Sequence, residues 1–519
     1  MATTFNAILS SEDVKWRTSA CVLAVAALLY LLTRITWRPP FPKTAPPLME
    51  ESLPVVGALR FFTSRGNFCR DGASMTKTGN YSFYCGSHRV VGLSGLEGRK
   101  TFYDSKELSL HAGYSVLLSA APDIQTGETV DAFANWFSRK IIKLMKKDNF
   151  VKCLPHLVTD TSSALERIAS RCGNSSGIFH PFDEMNRIVY QLTMRTVGVT
   201  EIAESQELLS RSLSLVGKIN ENNSTLRIMF PWLPTLKHVK RLIAAGQLYM
   251  IIDRIARDRK RTGRREDDTM QFLLDEGESS IKIVYASLYI FRSLSFIILA
   301  LFAGQLNSGF NAAWVFCYLA LDPYWMQEVR SEIDSVIAKH RSSTEQTPLD
   351  VLSKLSVDNW ERDFPLVNLC LDESIRLVTV GAGFRKNISS KDVEIGHTGE
   401  VIPKGAFGAF LIDDIHLDPE IYSNPTKFDP GRFLPGREED KKVPLAYAGW
   451  GLGRHPCLGM RFAKLEHAVI TAVSLVTFDF SLCDADGTPV TRAPEIDRND
   501  LVIRNPSVPL RLKYTRRGY

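Results

Sequence analysis

From about Phe102 to Arg376, apolar residues recur every three to four positions, in stretches such as WFSRKIIKLMKK, PHLVTDTSSALERIASR and LPTLKHVKRLIAAGQLYMIIDRIARDR. That spacing predicts a succession of amphipathic helices. Ahead of them, NYSFYCG and RVVGLSG alternate with period two and are joined through Gly86-Ser87-His88, which predicts a strand pair. Past Arg376 the segments FRKNI, VEIG and GEVIPKGAFGAFLI bring short strands and turns back. The chain therefore reads as mainly α with a minor β region.

Two long runs lack charge. The first is TSACVLAVAALLYLLT, Thr18 to Thr33, followed by Arg34, Arg38 and Lys43. With Ile35 to Trp37 added it is just long enough to span a bilayer if Arg34 snorkels. No small-x-small cleavage site follows it, and Glu12 and Asp13 spoil a basic leader, so residues 1–37 are expected to be a retained signal-anchor helix. The positive flank lies on the C-terminal side, which puts the rest of the chain in the cytosol. RPPFPKTAPP then reads as a stiff hinge over 38–50, ahead of a globular part at 51–519. Sequons at Asn80, Asn174, Asn222, Asn223 and Asn387 would carry glycans only in a lumen. The second run lies between Arg292 and Asp322. Its later half, QLNSGFNAAWVFCYLA, holds Gln, Asn and Ser that lipid would reject, so a long helix through a large core is expected instead.

Composition narrows the function classes. The chain has 519 residues, a 45% apolar and 23% charged content, and a net charge of +6 with both signs mixed. Nothing in that balance calls for a nucleic-acid partner. Nine cysteines without a CxxC pair indicate neither a disulfide framework nor a zinc module.

Three stretches carry candidate chemistry. LDESIRL sets Glu373 and Arg376 three positions apart on a predicted helix; alone, this is no more than an ordinary surface ion pair. HLDPEIYSNPTKFDPGRFLPG has four prolines that forbid long regular structure, and its Arg432 could join Glu373 and Arg376 in a buried network. Such a network needs all its members, because one uncompensated buried charge is costly. WGLGRHPCLG surrounds Cys457 with Gly451, Gly453 and Gly459, which permit positive φ and close approach of a flat ligand. Pro456 stiffens the turn, and a helix begins at once after the loop. Backbone N–H groups at that helix start would favour a thiolate and lower its pKa. With Arg454 and His455 alongside, such a thiolate suits an axial ligand of haem iron.

Taken in order, Glu373–Arg376, FDPGRF and the glycine-rich cysteine loop resemble a cytochrome P450. The resemblance covers nearly the whole chain and is closest in flavour to fungal microsomal members. It implies a cytochrome P450 fold, with haem b held between the central long helix and the cysteine loop. It also implies Cys457 as the metal ligand and Glu373, Arg376 and Arg432 as the network that supports the loop. Trp450, Gly453, Arg454, His455 and Gly459 would border the cofactor. Arg385 and His455 resemble haem-propionate partners of sterol 14α-demethylases. In FAGQLNS, Ala303 and Gly304 would leave room for dioxygen and substrate, with Asn307 beside them. The implied partners are NADPH–cytochrome P450 reductase, a small lipophilic substrate and the endoplasmic reticulum membrane. The implied reaction is hydroxylation of a terpenoid, sterol or other secondary metabolite with O2.

Two places depart from the family, the cysteine loop and the groove of the central helix. The loop opens with Trp450 where Phe is usual, and Leu306 and Asn307 stand where an acid and a threonine usually deliver protons. Asn307 donates a hydrogen bond but does not easily relay a proton. Similar departures occur in the cholesterol 7α-hydroxylase and prostacyclin synthase group. They leave two alternatives, a reductase-independent peroxide isomerase or dehydratase and a non-catalytic haem sensor. RKIIKLMKK, Arg139 to Lys147, reads as a docking helix for a reductase or as a solvated face. IMFPWLP, Ile228 to Pro234, reads as a loop dipping into the membrane or as packing. RDRKRTGRREDD reads as an exposed mixed-charge loop.

Overall fold

The computed structural model describes residues 16, 19–26, 30, 33, 37–117, 130–221, 226–229, 233, 235–278, 286–500, 505–506 and 508–518. About 58% is helical with a small β region, in accord with the hydrophobic spacing. Proline sets several helix starts: Pro181, Pro323 and Pro365 open Pro181–Val197, Pro323–His340 and Pro365–Val378. At that position the missing N–H would have had no partner in any case. Pro365–Val378 has no side-chain cap of its own. Glu332, on the neighbouring helix, supplies one, its carboxylate accepting from the Leu366 and Val367 N–H groups at 2.7 and 3.0 Å.

The uncharged second run is one long helix, Ala286–Leu321. It packs against Pro181–Val197, Pro365–Val378 and the last helix, Met460–Thr477. Residues Ala312 to Leu319 are buried. Trp314 stacks on Tyr318, which in turn stacks on Phe428 at a centroid distance of 4.9 Å. Phe296–Leu321 has the length and hydropathy of a membrane span. Its polar residues Gln305 and Asn311, however, are buried and bonded inside the protein, as a core helix requires.

The expected strand pair is a hairpin, Tyr81–Cys85 with His88–Leu93, whose register runs from Tyr81↔Gly92 to Cys85↔His88. Gly86 turns it at φ +62°, a backbone conformation glycine adopts without penalty. Phe407–Leu411 adds in parallel to the second strand, Ala382–Asn387 adds antiparallel to that, and Leu108–Ser109 closes the far edge. Thus the short strands after Arg376 return to pair with the start of the chain, and Arg385 is carried on a central strand.

Several local expectations are revised. RKIIKLMKK is not one helix: Val130–Leu144 ends before Lys147–Cys172 begins. Lys140 and Lys143 pair with Glu276, and Lys147 pairs with Asp358, so part of that basic surface is already neutralised. RDRKRTGRREDD is not all exposed. Arg259 is 3% exposed and bridges Glu201 and Asp268, because helix Leu236–Thr262 runs on through it.

The hinge is also not a free spacer. The carbonyls of Pro39, Pro40 and Pro46 accept from Tyr84, Arg89 and Ser82 at 2.9, 3.0 and 2.8 Å. Arg38 reaches Ser52 Oγ at 2.7 Å, and Met49 N–H donates to Ser82 O at 2.9 Å. Two sequon amides are likewise consumed inside the fold. Asn80 Nδ2 donates to Glu400 at 2.8 Å and Asn387 Nδ2 to Lys391 O at 2.9 Å. The sequon residues Asn222 and Asn223, Arg34, and most of IMFPWLP lie outside the described residues.

Candidate active site

Glu373 and Arg376 lie one helical turn apart near the end of Pro365–Val378, and both are fully buried. The guanidinium grips the carboxylate with two bonds, Nε to Oε2 at 2.8 Å and Nη2 to Oε1 at 2.9 Å. Arg432, from the 3-10 turn Pro430–Phe433, donates to the same Oε1 at 3.0 Å, as does the Asp429 N–H. The three residues that the motifs single out are therefore one charge-paired unit.

A fourth member was not foreseen. Glu439 accepts from Arg432 Nη1 at 2.6 Å and from Arg437 and Ser423. Burial works to raise its pKa, but the bonds from Arg437 and Ser423 and the Arg432 charge bring it down to about 2. In sequence it sits in REEDKK, which looks like any solvated charge run. Arg376 continues to the carbonyl of His416 and lies over the Tyr422 ring at 4.8 Å. His416 in turn accepts the Ala448 N–H at its Nε2, 2.9 Å away. Thus the network ends at the approach to the cysteine loop.

Trp450 opens that loop and is anchored through its indole. Nε1 donates to Asp372 Oδ1 at 2.6 Å, while Lys464 holds Oδ2 at 3.0 Å. A phenylalanine offers no such bond, so the departure at this position comes with its own partner. The Cys457 N–H closes the loop on Trp450 O at 2.6 Å.

Two loop glycines serve the protein backbone rather than a ligand. Gly451 has φ +72°, and a Cβ there would lie 2.4 Å from His455 O. Gly453 has φ +58°, and its Cβ would lie 2.4 Å from Asp104 Oδ1 and 2.6 Å from Tyr103 O. Gly453 therefore lets the loop lie against the end of helix Gly95–Asp104, where Arg454 N–H reaches Tyr103 O at 3.3 Å. Gly459 has φ −94° and caps the last helix, so it needs no positive φ. A Cβ there would meet nothing within 4 Å, so of the three only Gly459 retains open space.

Cys457 is exposed, although the atoms packed around its thiol still desolvate it. Burial raises its thiol pKa, while the Gly459 and Met460 N–H groups pull it back. The helix start thus acts in the expected direction, but burial outweighs it. Coordination to a cation would reverse that balance, because a ligating thiol is deprotonated outright.

Arg385 is 1% exposed, and its Nε has no hydrogen-bond partner. One Nη donates to Tyr103 O at 3.3 Å, and among the described residues it forms no ion pair. Its neighbours are cationic or titratable: burial pushes the His455 pKa down to about 4, helped by Arg385, His111 and Arg454. His111 meets His455 edge-on at 6.1 Å; in sequence it is only a histidine near a helix start, with no motif around it. Asp104 acts on it only through space, so a buried guanidinium with an unspent Nε and no ion pair among the described residues fits a ligand that brings its own carboxylates, as haem does with its propionates.

On the central helix, Ala303 and Asn307 lie one turn apart and are exposed, although flanking turns are buried. Leu306 is half-buried beside them. Gly304, half-buried next to Ala303, also lies against Pro181–Val197: a Cβ there would stand 3.3 Å from Thr193 Cγ2. The Asn307 carbonyl accepts from Asn311 Nδ2 at 2.9 Å, and Asn311 Oδ1 accepts from Ser374 Oγ at 3.1 Å.

A family model described as Cytochrome P450 matches residues 46–509. The chain is 32% identical to Cytochrome P450 monooxygenase AacuE of Aspergillus aculeatus, over 95% of this chain and 96% of that protein. It is 28% identical to Cytochrome P450 monooxygenase nsrP of Aspergillus novofumigatus, over 93% of each. Sterol 14-demethylase of Arabidopsis thaliana is 28% identical over 62% of this chain and 61% of its own.

Proposed function

The chain belongs to the cytochrome P450 family, and from that premise we propose that it hydroxylates a lipophilic terpenoid, sterol or other secondary metabolite at the endoplasmic reticulum membrane. Membership makes it a haem-thiolate monooxygenase, an oxidoreductase that takes electrons from a redox partner. The partner in this reading is NADPH–cytochrome P450 reductase. Bound haem with a thiolate ligand supplies O2 activation, the thiolate pushing electron density toward O–O cleavage.

The chain's own residues bind and orient. Cys457 is the iron ligand, held by a loop tied at Trp450 to Asp372 and at Arg454 to Tyr103. Arg385, Arg454 and His455 hold the propionates, with His111 beside them. Glu373, Arg376, Arg432 and Glu439 keep the loop's approach rigid, and Gly459 leaves clearance. Ala303 would give the substrate room, and the exposed Asn307 amide would offer a hydrogen bond to what binds beside it.

One observation carries the substrate reading. On the central helix, exposed Ala303 and half-buried Leu306 lie beside the polar Asn307 and the half-buried Ser308, a mostly apolar surface with a few polar groups, suited to a lipophilic molecule. Similarity to proteins named sterol 14-demethylase and obtusifoliol 14-alpha demethylase agrees with it. Membrane attachment rests on exposed apolar side chains. Val22, Leu23 and Val25 are exposed on a helical stretch of the proposed anchor at 1–37. Leu236, Val239, Leu242, Ile243 and Met250 are exposed along Leu236–Thr262. Water covers such surfaces poorly and lipid covers them well.

Expression with a reductase, followed by substrate-binding spectra and product analysis across sterols, terpenoids and fatty acids, tests this reading. NADPH-dependent oxygenation of one class is expected. Turnover of a lipid hydroperoxide without NADPH, and none of the parent lipid with it, would establish the isomerase alternative instead.

A further inference from the structure

Helix Lys147–Cys172 packs on Pro181–Val197 through a ladder of polar pairs whose middle rung lacks an acid. At one end Arg171 Nη2 donates to Glu184 Oε1 at 2.8 Å; at the other, Arg195 Nε donates to Asp160 Oδ2 at 2.7 Å. Between them Arg167 Nη2 meets only the neutral Gln191, whose Oε1 accepts at 3.1 Å. Gln191 is 4% exposed, and its Nε2 is committed to the Ala203 carbonyl at 3.1 Å. Arg187, one turn before Gln191, is likewise held by neutral groups. Its Nη2 donates to Gln206 Oε1 at 2.9 Å and to Ser210 Oγ at 2.8 Å, both on helix Gln206–Glu221. Among the described residues neither Arg167 nor Arg187 forms an ion pair, and their other side-chain N–H groups donate to no protein atom.

These arginines border a cleft of 280 Å³ between the three helices. Its charged lining is Arg167, Arg171 and Arg187 against Glu184 alone, and Glu184 is already engaged by Arg171. Burial, then the Arg187 charge, lower the Arg167 pKa, against weaker pulls from Asp160 and Glu184. Holding two half-buried guanidiniums at one cleft costs Coulomb energy, and a glutamate at position 191 would have removed that cost. The deficit of negative charge and the unspent N–H groups match a phosphate, which arginine grips with paired hydrogen bonds. Ala164 and Ile188 add apolar wall. The volume is that of about nine water molecules, enough for a phosphate carrying a small organic group.

We propose that this cleft binds a phosphate group, with Arg167 and Arg187 as its two clamps and Arg171 at the mouth. The site stands one helix away from the central helix. Arg187, Ile188 and Gln191 turn to the cleft, while Asn186 and Thr193 of the same helix turn to Gln305 and Gly304. Occupation would tie three helices together, because Arg187 already reaches Gln206–Glu221. Binding is therefore separate from the oxidation and independent of which reaction the haem performs. The phosphate is carried either by a soluble molecule or by a lipid headgroup, and the experiment distinguishes the two.

The test follows thermal unfolding of the full-length, haem-loaded protein as inorganic phosphate replaces chloride at constant ionic strength. Phosphate should raise the melting temperature along a saturating curve, and chloride should not. Arg167→Gln and Arg187→Gln should each weaken phosphate binding at least about tenfold, the loss of one charge-assisted hydrogen bond, with the reduced CO spectrum unchanged. Gln191→Glu keeps every guanidinium but supplies the missing acid from within, so it should abolish the phosphate response without unfolding the protein. A parallel measurement in phosphatidylcholine nanodiscs with and without phosphatidic acid identifies the source. A larger response to phosphatidic acid than to inorganic phosphate assigns a lipid headgroup, and the reverse assigns a soluble phosphate. Equal stabilisation by chloride would overturn the proposal, as would a response that survives in all three variants. So would the absence of any response to either phosphate source.

Discussion

Replacing Gly453 and Gly459 by alanine, one at a time, separates two roles that look identical in the sequence. At Gly453 an alanine must adopt φ +58°, in the left-handed region, at about 1–2 kcal/mol. Its Cβ would also press on Asp104 Oδ1 at 2.4 Å and on the Tyr103 carbonyl at 2.6 Å. The second contact is with backbone and has no rotamer to escape into, so overpacking adds about 1–3 kcal/mol. The sum, roughly 2–5 kcal/mol, displaces the docked loop by about 30-fold to several thousand-fold. Because Arg454 N–H and Arg385 share the Tyr103 carbonyl, the propionate cluster moves with the loop. Gly459→Ala has φ −94° and no atom within 4 Å, so the metal-free chain should tolerate it. The assay is thermal unfolding of the metal-free chain alongside haem content and the reduced CO spectrum. Gly453→Ala should lose stability and thiolate-type spectrum together, while Gly459→Ala should keep its stability and weaken only haem binding. A Gly453→Ala protein with wild-type stability and spectrum would refute the reasoning.

Glu373→Gln leaves Arg376 and Arg432 buried without their shared anion, a loss of about 3–5 kcal/mol; the expected result is little haem-loaded protein, read as the CO-difference signal per unit of expressed chain. Trp450→Phe deletes the indole bond to Asp372, while Lys464 keeps its own. It should cost about 1–2 kcal/mol, and a double-mutant cycle with Asp372→Asn should show the two losses to be largely shared. His416 is neutral in the fold: burial, then Arg376 and Arg498, lower its pKa from 6.5 to about 3. With the folded value below the unfolded one, its contribution is complete above pH 6.5 and drains away as pH falls toward 3. Melting temperatures at pH 7 and pH 4.5 should therefore converge in His416→Gln relative to wild type; an equal acid-induced drop in both would refute the assignment.

The elements that were legible in advance share one property, a repeat or a motif confined to a short window. Helix periodicity, the Gly86 turn and the ExxR pair are local, and each was found where expected. Burial of Arg259 was not legible, because Glu201 comes from a distant element and Asp268 is one of several acids in the same charged stretch. Glu439 was hidden in a charge run although its partners are near in sequence, since nothing in REEDKK marks which acid turns inward. The adjacent residues Ala303 and Gly304 show another limit. About 100° of rotation separates neighbours on a helix, and composition does not say which of two small residues is left exposed and which lies against a packed helix.

The docked proline segment changes what an amino-terminal anchor does. A loose tether would let the globule sample all orientations at a fixed reach from the bilayer. Here Pro39, Pro40 and Pro46 are fastened to the hairpin, so a membrane helix continuing from Trp37 would act as a mast stepped into the hull. Its tilt would set the heading of the whole body, and with it which side of the molecule meets the lipid. Bilayer thickness, by tilting that mast, then becomes a means of steering the enzyme.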